Sequence, residues 1–305
     1  MKSVSTDHFP RVVARPDRFW LFNPILKKRY ENRPEERVRL CWVEYILHQT
    51  KWSKSRIGFE APIKVSQEKN TLRADLILYS KNMEPAVLVE CKSNSVKLNQ
   101  AAAEQAARYN SQTKARHMVL TNGLEDYWFE IKGNVIQSTG NFFEEDSTKW
   151  NSQRNHEYWH QRGFCSSRIP ADMKHWLTPA INTFWKEENT AQKQYLDFGK
   201  TLLNVPMNQY YNIFDMGDER KLALTFLGYG TSDNYVVSVL NFRGVNQGVL
   251  VINLNLYQQK EKGAILLING RKRQTDLSDR DLPFDFDSFY PKQIETLPRH
   301  LINFF

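Results

Sequence analysis

The chain has 305 residues, 41% hydrophobic and 25% charged, a balance that supplies two packed cores and excludes a disordered or low-complexity polypeptide. The formal net charge of +8 favours a polyanionic partner. The excess is uneven: residues 1–150 carry 24 Lys+Arg against 18 Asp+Glu, a surplus of +6, and the remainder carries only +2. No apolar run approaches a membrane span and the first residues lack an apolar signal core. Cys41, Cys91 and Cys165 form no paired framework. The expectation is a soluble cytoplasmic protein with free thiols.

The first elements lie in the more basic half. Residues 11–22 read as a small hairpin turning at Pro16-Asp17. Asn32-Arg33-Pro34-Glu35-Glu36 then opens a helix, with proline in the first turn and acids where the helix dipole favours them. It should run to about Gln49, with Val38, Trp42, Tyr45 and Ile46 as its apolar stripe. Phe59 to Val65 reads as a strand. Leu72-Arg73-Ala74-Asp75-Leu76-Ile77-Leu78-Tyr79 and Ala86-Val87-Leu88-Val89-Glu90-Cys91-Lys92 read as two more, joined by a polar turn ending at Pro85 and paired as a hairpin. Asn99 is placed to cap a helix through the alanine-rich run to Tyr109. His117–Thr121, ending at Asn122-Gly123, and Tyr127–Ile131 continue the sheet.

Alternation along a strand puts Glu90 and Lys92 on one face and Cys91 on the other. A carboxylate and an ammonium at the end of an apolar strand are costly to bury unless they are paired or hold a metal. Asp75 on the neighbouring strand supplies a second carboxylate. Two carboxylates and a lysine at a hairpin exit suit Mg²⁺, which takes oxygen ligands and keeps waters that a phosphate can replace. The chemistry to which this set points is metal-assisted hydrolysis of a phosphodiester, with Mn²⁺ as a substitute ion. The bland alternative is an edge hairpin whose polar residues are merely solvated.

Asp75…Glu90-x-Lys92 resembles the PD-(D/E)XK nuclease signature. The ordered set Arg73-Ala74-Asp75-Leu76-Ile77-Leu78-Tyr79, Leu88-Val89-Glu90-Cys91-Lys92-Ser93, Gln105-x-x-x-Tyr109 and Val119-Leu120-Thr121-Asn122-Gly123 resembles the N-terminal nuclease domain of type I restriction enzyme R subunits, over about residues 9–136. One departure is Ala74 where the signature has proline. The resemblance implies an α/β fold with an αβββαβ restriction-endonuclease-like core, a mixed central sheet flanked by helices. It also implies DNA cleavage with Asp75 and Glu90 as metal ligands and Lys92 activating or positioning the water. A glutamate on the first helix joins the site in that family; Glu36 matches the motif best, and Glu44 is the alternative. Gln105 and Tyr109, with Arg108 beside them, are implied to place the nucleic acid. Expected partners are DNA, a separate restriction or helicase subunit, and a second copy of the chain if both strands are cut. The competing expectation is a nucleic-acid-binding module with an inactive nuclease site.

The chain turns polar over residues 138–155, so a domain of residues 1–145 is expected to precede an α+β domain of residues 150–305 serving recognition or dimerisation. In that second domain residues 170–203 read as one or two helices interrupted near Pro179. Lys221–Tyr229, Tyr235–Phe242, Gly248–Tyr257 and Gly263–Ile268 read as a four-stranded antiparallel sheet, with a helical segment from Gln293 to Phe304. Three other signals are set aside. His156-Glu157-Tyr158-Trp159-His160 satisfies a zinc-hydrolase pattern, but its flanks lack an apolar stripe. Gly199-Lys200-Thr201 lacks the earlier glycine of a phosphate loop, so no ATP-driven motor is expected in this chain. Asp276, Asp279, Asp281, Asp285 and Asp287 lack the glycine of a calcium loop and read as a solvated segment.

Overall fold

Contacts divide the chain into two units, Met1–Gln153 and Arg154–Phe305. The computed structural model describes residues 1–14, 19–63, 72–133, 135–146, 154–186, 191–200, 205–259, 261, 263–268, 270–275 and 282–305.

The N-terminal unit begins with a three-stranded antiparallel sheet, β1 (Arg11–Ala14), β2 (Phe19–Asn23) and β3 (Lys28–Tyr30). The expected hairpin is there, but its Pro16-Asp17 turn lies outside the described residues, and β3 is an addition to the sequence reading. Helix α1 spans Pro34–Gln49 with Glu35 and Glu36 in its first turn. It stops where Thr50 turns extended, and the Thr50 hydroxyl donates back to the Ile46 carbonyl at 2.8 Å.

The main sheet has six strands in sequence order: β4 (Ile57–Ile63), β5 (Leu72–Tyr79), β6 (Pro85–Cys91), β7 (His117–Thr121), β8 (Asp126–Lys132) and β9 (Val135–Thr139). Among the described residues only β6 and β7 pair in parallel, so the sheet is mixed. The crossover between them carries helix α2 (Gln100–Thr113), which Asn99 caps by accepting from the Ala102 amide at 3.1 Å. Alternating strand residues face two cores. Leu76, Leu78, Val87, Val89, Val119 and Trp128 pack under Val38, Trp42, Tyr45 and Ile46 of α1. Ile77, Leu88 and Met118 pack with Ala106 of α2 and Ala115. The fold is the α/β arrangement expected, a mixed sheet with helices on its faces.

The C-terminal unit holds a seven-stranded antiparallel sheet: β10 (Gln192–Lys200), β11 (Pro206–Asp215), β12 (Arg220–Tyr229), β13 (Asp233–Phe242), β14 (Val245–Asn253), β15 (Ala264–Ile268) and β16 (Arg271–Thr275). Four of these match the sequence reading, and β10, β11 and β16 correct it. The expected helical run of residues 170–203 is one helix, Ala171–Phe184, followed by β10. Pro179 stays inside that helix. Met173, Trp176, Leu177, Ala180, Ile181 and Phe184 are all buried along it, and this apolar stripe outweighs the roughly 3 kcal/mol that an interior proline costs. A second correction concerns Leu254–Gln258, which is helical rather than a strand end because the Asn253 side chain caps the Asn255 and Leu256 amides. The closing segment is two short helices, Pro291–Glu295 and Leu297–Leu301, rather than one.

Candidate active site

Three neighbouring strands bring the acids together. In the β4–β5 register Phe59 faces Leu76 and Ala61 faces Ala74, which sets Glu60 beside Asp75. In the β5–β6 register Leu76 faces Val89, and one more step of the same pairing sets Asp75 beside Glu90. A row of three carboxylates thus crosses β4, β5 and β6. Glu60 takes a left-handed φ of 49°, a conformation costly for a side chain with a Cβ.

Helix α1 lays a fourth acid and a cation over this row. Glu36 and Arg39 lie one turn apart on the helix. The Arg39 guanidinium reaches Asp75 Oδ1 at 2.6 Å, Glu36 Oε2 at 2.9 Å and Glu60 Oε1 at 3.4 Å. The other Asp75 oxygen accepts from the Cys91 amide at 2.7 Å, locking the β5 carboxylate to the backbone of β6. Glu90 accepts from Lys92 Nζ at 2.8 Å, as expected for side chains two apart on one strand face. Glu36, Asp75 and Glu90 are all buried. Among the described residues, Glu36 Oε1 and Glu90 Oε2 are buried without a hydrogen-bond partner.

The exit of β6 is held by a turn. The Lys92 amide donates to the Thr121 carbonyl at 2.8 Å. The Thr121 hydroxyl accepts from the Trp42 indole at 3.0 Å and from the Gly123 amide at 3.0 Å. Asn94 and Asn122 tie the segment after Lys92 to the same turn through Asn94 Nδ2 to the Asn122 carbonyl and Asn122 Nδ2 to the Val96 carbonyl. The Thr121-Asn122-Gly123 motif therefore fixes where Lys92 leaves the sheet.

Burial sets the charge states. It pushes the Glu36 carboxyl up to about 7 against the opposing pull of Arg39. Burial, then the charge of Asp75, pushes Glu90 up to about 7 despite its bond from Lys92. Asp75 is raised by burial too, with Arg39 and the Cys91 amide holding it back. For Lys92 burial works against the charge, but the bond and charge of Glu90 more than offset it, so Lys92 stays an ammonium. A carboxyl whose folded pKa lies above its unfolded value binds its proton more tightly when folded. The stability this gives is present below about 4.5 and is lost as pH rises through about 7. Hydrogen exchange of the α1 amides is accordingly expected to accelerate between pH 5 and 7.5, after correction for intrinsic rates, and Glu90→Gln should flatten that dependence. An unchanged slope in the variant would remove Glu90 from the account.

Residues 34–142 match the family model of the type I restriction enzyme R protein N terminus. The match runs from the first residue of α1 to just beyond β9 and takes in Glu36, Asp75, Glu90 and Lys92. No curated protein and no solved structure matches the chain.

The remaining sequence candidates fall as follows. Gln105 and Tyr109 stand four apart on α2, but their side chains lie outside what is described. Arg108 between them is exposed. Glu44 is buried at the far end of α1 from Glu36, where it faces Arg11 Nε at 3.1 Å and His48 Nε2 at 3.0 Å. It belongs to a different cluster. Sequence reasoning missed Arg39 and Glu60. The spacing of Arg39 three residues after Glu36 was a usable signal; that of Glu60 needed the strand register. Among the described residues no group of three or more His, Cys, Asp or Glu forms a metal cage. The His-Glu-x-x-His pair of the C-terminal unit is occupied with backbone: His156 Nε2 lies 2.9 Å from the Ser166 carbonyl and His160 Nδ1 lies 3.2 Å from the Cys165 carbonyl. Gly199 and Lys200 lie in β10, not in a phosphate loop. Of the C-terminal aspartates, Asp276, Asp279 and Asp281 lie outside the described residues.

Proposed function

We propose that the N-terminal unit is a metal-dependent endonuclease that hydrolyses DNA phosphodiester bonds in a restriction or defence setting. The observation that carries this reading is the buried pair Asp75 and Glu90 on adjacent strands with the Lys92 ammonium 2.8 Å from Glu90, inside the stretch that matches the R-protein family. The buried oxygens Glu36 Oε1 and Glu90 Oε2, which have no hydrogen-bond partner among the described residues, fit a hard divalent cation. Mg²⁺ is commonly held by one or two carboxylates and completes its shell from water and phosphate. Asp75 and Glu90 are the proposed ligands, with Glu36 adding negative charge beside them. Bound there, the ion would supply Lewis-acid polarisation of the phosphodiester and stabilise the charge that develops on it.

The residues of the chain do the rest. Lys92, held as an ammonium, donates hydrogen bonds, which suits it to position the attacking water or a phosphate oxygen rather than to take a proton. Arg39 and the Cys91 amide fix the Asp75 carboxylate so that its orientation is set before substrate arrives. Gln105, Arg108 and Tyr109 on α2 are the proposed nucleic-acid side of the site, and the C-terminal unit is the proposed source of recognition or dimerisation. The expected setting is the cytoplasm, with DNA and a separate restriction or helicase subunit as partners and cleavage that needs no ATP from this chain.

A second reading, a DNA-binding module with an idle site, is favoured by one observation: Arg39 already neutralises Asp75 at 2.6 Å. Incubating the protein with plasmid and linear DNA, with Mg²⁺ or Mn²⁺ and with EDTA, separates the two. Cutting that EDTA stops and that Asp75→Ala lacks supports the nuclease. Salt-sensitive binding by both proteins without any cutting supports the idle module.

A further inference from the structure

Two lysines and an arginine that a buried carboxylate holds by one nitrogen meet in a cavity at the end of α1 remote from Glu36. The cavity holds about 500 Å³ and is lined by Arg11, Lys27, His48 and Lys54 together with the apolar side chains of Phe22, Pro24 and Leu47. Among the described residues no acidic side chain lines it. The carboxylate behind the wall is Glu44, buried, facing Arg11 Nε at 3.1 Å and His48 Nε2 at 3.0 Å. Arg11 is thereby gripped through its inner nitrogen, which leaves the outer edge of the guanidinium for another acceptor. Lys27 and Lys54 make no ion pair among the described residues, and both are exposed. Lys27 takes a left-handed φ of 54° in the turn before β3, where Lys28 and Arg29 follow it, also exposed. Like charges gathered in a concave, partly apolar wall focus their field into the cavity and attract an anion.

We propose that this cavity is a phosphate-binding site for a nucleic-acid strand, a second contact separate from the carboxylate site. Arg11, Lys27 and Lys54 would share the phosphate, and Phe22 with Leu47 would take the sugar or base. The volume falls in the range of small-ligand sites and accommodates a nucleotide rather than a bare ion. Glu36 and His48 are twelve residues apart on α1, ~18 Å along its axis. A DNA strand spans that distance in about five nucleotides at 3.4 Å each. The inference rests on the nuclease reading only for the source of the phosphate; a free mononucleotide offers the same chemistry.

The test is lysine footprinting of the full chain in EDTA. The protein is treated with an amine-reactive label alone, with a short duplex oligonucleotide, with a single strand and with a mononucleotide, and the labelled lysines are read by mass spectrometry. The expected result is several-fold protection of Lys27 and Lys54 by DNA, with Lys81 in the β5–β6 turn unchanged. In parallel, the double variant Lys27→Glu/Lys54→Glu should bind the duplex at least about tenfold more weakly. Its plot of log affinity against log salt should be shallower by one to about two, since each phosphate contact contributes about 0.9. DNA binding without protection of either lysine and with an unchanged slope overturns the site and leaves the nuclease reading intact. Protection by the mononucleotide but not by DNA overturns the strand assignment, and no binding of either overturns the site outright. Protection by DNA in a protein that never cuts with Mg²⁺ leaves this site standing and removes the nuclease.

Discussion

Lys92→Ala is expected to abolish DNA cleavage, by about a thousandfold or more, while most DNA binding remains. Two effects add. The ammonium that would position water or a phosphate oxygen is lost. Glu90 also loses the one hydrogen bond it has among the described residues, where Oε1 takes Lys92 at 2.8 Å and Oε2 has no partner. Burial already pushes Glu90 up to about 7, and without the neighbouring cation its proton is held more tightly still, so the proposed metal ligand loses charge. Lys92→Arg keeps the charge but not the reach, and should recover binding of Glu90 better than it recovers rate. The check is plasmid nicking beside fluorescence anisotropy on labelled DNA. Cleavage retained in Lys92→Ala would end the role assigned here.

Arg39→Met should destabilise the N-terminal unit by about 3–5 kcal/mol. The guanidinium faces Glu36, Glu60 and Asp75 within 3.4 Å, and it is itself buried. Removing one partner of a buried ion cluster leaves the others with their desolvation cost and no compensating attraction. Hydrogen exchange at the α1 and β5 amides reads this unit apart from the rest of the chain. Asp75→Asn added to Arg39→Met should restore part of the loss, because it removes one of the carboxylates left unpaired. A double variant no more stable than the single one would show that packing of Arg39 on Phe59, 5.3 Å from its guanidinium, outweighs the charges.

What could be read from the sequence follows the strength of local pattern. Helix α1 announced itself by Pro34, Glu35 and Glu36 at one end and a spaced apolar stripe, and Asn99 announced α2 by its capping chemistry. The β5–β6 hairpin placed Asp75 near Glu90 because two apolar runs flanked a short polar turn. Glu60 and Arg39 were not legible in this way, since their place in the site depends on strand register and on how α1 lies over the sheet. The C-terminal unit was read less well for a related reason. Strand β10 alternates exposed and half-buried residues, and β16 begins Arg271-Lys272-Arg273; such edge strands lack the apolar runs that marked β12 to β15. Pro179 misled in the opposite direction: its local penalty is real, but the buried stripe from Met173 to Phe184 overrides it.

Helix α1 is anchored at intervals along its length. Glu36 and Arg39 meet the strand acids, the Trp42 indole donates to Thr121, Glu44 meets Arg11, and Thr50 closes the end. One inserted or deleted residue turns everything on one side of it by about 100°. No single rotation could then satisfy both the acidic end and the basic end. The helix therefore acts as a gauge of fixed phase, and change in chain length that preserves this arrangement has to be absorbed in the connections outside it.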